Sequence, residues 1–111
     1  MKEARLIVPM QNNHGQSLSQ LALQVQKRLA ETFGGFTLTE GYGGWISPTG
    51  KVHYEPVLVF DIAMDSKVSN IEALTSIAAK VAKEAEQEAV YVRLPGGSVH
   101  FVTAEQASAA A

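Results

Sequence analysis

Residues 36–64 read "FTLTEGYGGWISPTGKVHYEPVLVFDIAM". Two runs rich in β-branched and aromatic residues flank "SPTG" at 47–50, where proline in the second position and glycine in the fourth fit a type I turn. The stretch predicts a long β-hairpin. Its first arm holds the only tryptophan, Trp45, crowded by Gly41, Gly43 and Gly44. Glycines inside a strand predict a bulge, and a bulge here brings Tyr42 and Trp45 together and re-aims Trp45 towards a contact. Pro56 predicts edge exposure in the second arm, because proline has no N–H to give a ladder.

Working outward, "ARLIVPM" (4–10) reads as a strand and "QNNHGQ" as a polar loop with Asx-turn chemistry. In "SLSQLALQVQKRLAETFGG", Leu18, Leu21, Ala22, Val25, Leu29 and Phe33 recur every three or four residues, the stripe of an amphipathic helix. Ser17 with Gln20 predicts a capping box, and Gly34-Gly35 a C-terminal stop. "SNIEALTSIAAKVAKEAEQEA" predicts a second helix, capped by Ser69 with Glu72, with Lys80 and Glu84 as an exposed pair. "AVYVRL", a "PGG" turn and "SVHFVT" predict two closing strands.

The order is β-α-β-β-α-β plus a short C-terminal strand. It predicts an α+β, ferredoxin-like sandwich, with two helices on one face of an antiparallel sheet. The domain is expected over residues 1–103 and a flexible Ala-rich tail over 104–111. At 111 residues there is room for one core.

Strand parity sets the two sheet faces. Leu58, Phe60 and Ile62 face the helices, so Val57 and Val59 face away. Thr37, Thr39, Tyr91 and Arg93 join them there. That open face predicts a homodimer interface made of Thr37, Thr39, Val57, Val59, Tyr91 and Arg93. Asp61 has the same parity, and Arg93 is its expected partner.

Nine basic and eleven acidic residues are interspersed, giving a net charge of −2 and no basic stripe, so nucleic acid is not an expected partner. The absence of cysteine excludes a disulfide framework and a thiol nucleophile. No apolar run has the length of a membrane span or signal peptide, and a cytoplasmic, membrane-free protein is expected. "GYGGWISPTGKV" fails the phosphate-loop pattern at Trp45 and Val52, and "GYGG" lacks dinucleotide spacing. The three histidines, His14, His53 and His100, show no metal-ligand spacing, and neither a metal nor a cofactor is expected. The expected binding residues are Tyr42, Trp45, His14 and His53. His14 is a candidate anion contact ahead of a helix N-terminus.

"FGGFTLTEGYGGWISPTGKVHYEPVLVFDIAM" and "AVYVRLPGGSVHFV" resemble small uncharacterised proteins encoded by bacteriophages and prophages, and the resemblance extends back to "LIVPMQNNHG". It implies a phage accessory protein in the host cytoplasm, with no activity carried over. The function expected from the sequence is a non-enzymatic homodimer that modulates a host protein or binds a small ligand. The alternative is a small enzyme of the dimeric α+β-barrel kind, with His14, His53 or Asp61 as acid or base.

Overall fold

The structure is a computed structural model that describes residues 1–105; most of the expected 104–111 tail lies outside the described residues. The elements are β1 (Lys2–Pro9), α1 (Ser19–Phe33), β2 (Thr37–Ile46), β3 (Val52–Met64), α2 (Val68–Glu84), β4 (Ala89–Arg93) and β5 (Val99–Thr103). The five strands form one antiparallel sheet in the order β2-β3-β1-β4-β5. The first four strands have the expected ferredoxin-like order, and β5 adds a strand beside β4. Among the described residues no helix is long and apolar enough to cross a membrane.

The core lies between the helices and one sheet face. Ala4, Leu6 and Val8 of β1, Leu58, Phe60 and Ile62 of β3, and Val90 and Val92 of β4 all point into it. Every second residue is taken, as strand geometry requires. The helices supply Leu21, Val25 and Leu29 from α1 and Leu74, Ile77 and Val81 from α2. Phe60 is fully buried and meets Phe36 edge-on at 5.4 Å between ring centres. Gly34 ends α1 in the left-handed region at φ 92°, its N–H donating to Ala30 O at 2.9 Å. Glu86 takes the same region at φ 56° after α2, without glycine's freedom.

Neither expected capping box forms. Helix α1 begins at Ser19, and the residue before it, Leu18, makes no side-chain cap. The cause is a bridge between Gln11 and Ser17, with Leu18 N–H donating to Met10 O at 2.9 Å. The chain therefore enters the helix from a pinned loop. Helix α2 begins at Val68, which puts Ser69 inside it. Its entry is tied instead by Asn70 Nδ2, which donates to Asp65 O at 3.0 Å.

The hairpin turn forms as expected. Gly50 N–H donates to Ser47 O and Ser47 N–H to Lys51 O, both at 2.9 Å, with Gly50 at φ 85°. The expected bulge is absent. The β2–β3 register runs unbroken from Thr37↔Asp61 to Ile46↔Val52, so Tyr42 and Trp45 stay on opposite faces. Pro56 does not interrupt β3 either. Its carbonyl accepts from Met10 N–H at 3.1 Å, so its missing N–H falls on the β1 side. There β1 ends, at Pro9↔Val57, and Met10 O is already taken by Leu18. Beyond this point the sheet narrows to two strands. These project as an arm, and the molecule is 41 Å long but only 25 × 24 Å across.

Candidate functional site

The helix-free face is where the strands bring chemistry together. One groove crosses all five strands there, with a volume near 240 Å³. Its floor is Ile7 and Pro9 of β1 and Val57 of β3. Val57 is only 6% exposed although it lies outside the main core. Trp45 walls one side, Tyr91 and Phe101 the other. Gly43 keeps the floor low: a Cβ on it would meet Val57 Cγ1 at 3.6 Å and Glu55 Cγ at 3.8 Å, inside the groove. A side chain here would stand on the groove floor, and the unbroken register leaves no bulge for the glycine to mark.

Both walls are braced. Trp45 stacks on His53, its cross-strand partner, at 4.4 Å and 15°. Tyr91 meets its partner Phe101 edge-on at 6.0 Å and 80°. Stacked and edge-on pairs of this kind are worth about 0.5–1.5 kcal/mol beyond burial, which restrains the rings at the groove without a ligand. Glu55 is the one charged residue of the lining, and Gln87 adds an amide at the rim. Gln87 Nε2 donates to Asn13 Oδ1 at 3.3 Å, which ties this rim to the 11–17 loop.

Charged groups gather at the other end of the same face. Arg5 grips Asp61 bidentately, Nε to Oδ1 at 2.7 Å and Nη2 to Oδ2 at 3.2 Å. The bond to Asp61 raises the Arg5 guanidinium above its ordinary value, against a smaller opposing effect of burial. Arg93, the partner expected for Asp61, instead reaches Glu3 at 3.4 Å. The β1–β3 register decides this, because it sets Arg5 directly across from Asp61.

All six expected interface residues, Thr37, Thr39, Val57, Val59, Tyr91 and Arg93, fall on this face, and Val57 and Tyr91 line the groove. Of the expected binding residues, Trp45 and His53 meet as described. Tyr42 is on the opposite face of the arm. His14 is in the loop, its N–H donating to Asn12 Oδ1 at 2.9 Å in the expected Asx turn, and its ring lies 4.0 Å from Glu86. It stands five positions short of the start of α1, away from the helix N-terminus. The acid–base trio does not assemble: His53 and Asp61 are eight positions apart on β3, about 26 Å along a strand. Ile7, Pro9, Glu55, Gln87 and Phe101 were not singled out by the sequence, although Glu55 and Phe101 share the parity of Val57 and Tyr91.

A second cavity of about 340 Å³ opens on the helix side, between the start of α1 and the β2–β3 pair, and Leu18, Leu23, Leu38 and Leu58 make it aliphatic. No aromatic ring lines it. Among the described residues no three His, Asp or Glu side chains group to hold a metal ion.

No family model matches the chain, and no curated protein does. Its fold is similar to solved structures of a phage SAM lyase. The structure in complex with S-methyl-5'-thioadenosine gives a TM-score of 0.70 at 16% identity, covering 93% of this chain and 89% of that one. The apo structure gives 0.65 at the same identity and coverage. The similarity reaches a phage protein, in line with the phage-related resemblance. It overturns the expectation of a non-enzymatic accessory protein, because the neighbours found are an enzyme.

Proposed function

We propose that the chain is an enzyme that cleaves S-adenosylmethionine, releasing S-methyl-5'-thioadenosine, and that the groove on the helix-free face is where it does so. The observation that carries this reading is the lining of the groove: the aromatic rings of Trp45, Tyr91 and Phe101, one carboxylate from Glu55, and no lysine or arginine. Ring faces with a carboxylate attract an onium cation, and the same rings offer a platform for a purine. The likeness to a phage SAM lyase over 93% of the chain supports it.

The chemistry asks little of the protein. A sulfonium is its own leaving group, and a lyase adds no water. A carboxylate oxygen of the substrate attacks its own Cγ, the Cγ–S bond breaks, and its electron pair goes to sulfur. A neutral thioether and a lactone separate, with no proton gained or lost. The charges of carboxylate and sulfonium annihilate in this step, so a poorly hydrated floor such as Val57, Ile7 and Pro9 favours the transition state over the ground state. A phage-encoded enzyme of this kind would act in the host cytoplasm.

The test is incubation with S-adenosylmethionine and chromatography of the products. Methylthioadenosine and homoserine lactone should form well above the uncatalysed rate. Glu55→Gln should raise KM by roughly tenfold, the loss of one charge-assisted contact. Absence of both products from folded protein at millimolar substrate would overturn the reading.

A further inference from the structure

The arm carries an apolar surface that the groove does not use. On its helix-side face Tyr42 is 82% exposed, Tyr54 76% and Ile46 67%, with Val52 beside them. They continue the strip of Leu38 and Leu58 past the start of α1. The outer edge of β2 is equally bare. From Gly41 to Ile46 it has no charge, no proline and no bulge, the devices by which natural proteins protect a long edge strand.

We propose that the arm is an assembly element, and that its helix-side face and β2 edge pack against a second copy of this chain. This moves the contact between copies from the centre of the sheet to the arm. Two observations select a second copy. Outward from Tyr42 the surface carries no charge, since Lys51 is in the turn, His53 and Glu55 point to the other face and Glu40 sits at the root across from Leu58, so the outer parts of two identical arms meet without like-charge repulsion. The exposed area also suits it. Tyr42 and Tyr54 alone offer roughly 250–400 Å² at the usual aromatic areas, a third to a half of the ~800 Å² per partner of a standard interface, and Ile46 and Val52 add to it. The inference does not depend on the proposed reaction.

Light scattering and sedimentation across a concentration series test it. The wild-type chain should be an assembly at micromolar concentration. Ile46→Glu and Tyr54→Glu should each raise its dissociation midpoint by more than about tenfold while circular dichroism is retained. Ile46 is at the tip of the arm, outside the core, so that variant reports on assembly even where Tyr54→Glu disturbs folding. A monomeric wild type overturns the proposal. So does an Ile46→Glu chain that stays assembled while Val59→Lys, at the centre of the open face, dissociates.

Discussion

The body of the sheet and its arm are built from the same two strands, yet they solve opposite problems. In the body, β3 alternates between a covered face and an open one, and Leu58, Phe60 and Ile62 are sealed under helices. In the arm the alternation continues with large apolar residues on both faces, and Tyr54 and Trp45 stand 76% and 53% exposed. Apolar residues in the body stabilise the chain. In the arm they stabilise little within one chain, so their size speaks for contacts the single chain does not supply.

The sharpest way to break this contrast is Phe60→Ala. Phe60 is fully buried and edge-packed on Phe36, and the substitution should cost about 3–5 kcal/mol in denaturant unfolding. A loss below 1 kcal/mol would mean that the body is not the stabilising unit. Asp61→Asn comes next. It weakens a bidentate pair whose side chains are 37% and 18% exposed, so about 1–2 kcal/mol is expected after allowing for solvent. Because the pair raises the Arg5 guanidinium, the Arg5 side of that contribution is complete at every pH below its ordinary range and is lost only in strong alkali. Stability attributed to Arg5 should therefore stay flat across neutral pH. The smallest effect belongs to Trp45→Ala, measured in an Ile46→Glu background to remove assembly. Its unfolding free energy should fall by less than about 1 kcal/mol, roughly the stacking on His53, while turnover of S-adenosylmethionine falls far more. A loss like that of Phe60→Ala would make Trp45 a core residue.

Strand parity makes the two faces legible in the sequence. Once Leu58, Phe60 and Ile62 faced helices, Val57, Val59 and Asp61 had to face away. The groove was only half legible, because it depends on strand order and register. Ile7 is opposite Val59, and Tyr91 opposite Phe101, and neither pairing is written in local sequence. The Arg5–Asp61 pair was missed for the same reason, the two being 56 positions apart. The bulge expected at the glycines is absent because a strand glycine is compatible with either a bulge or a regular ladder, and only the β2–β3 register distinguishes them. Both capping boxes were misplaced because tertiary ties, the Gln11–Ser17 bridge and Asn70 to Asp65, set the helix starts.

Pro56 marks the root of a cantilever. Up to Val57 the strands are clamped by β1, and past it two strands stand alone. The His53–Trp45 pair is three residues further out, about 10 Å along the strand. A flex of roughly 10° at that root swings the indole by about 2 Å at this lever length. One wall of the groove is therefore mounted on a spring while the other, Tyr91 with Phe101, is fixed to the frame. The gap between them widens or narrows with the bending of the arm, and whatever grips the arm sets the aperture of the groove.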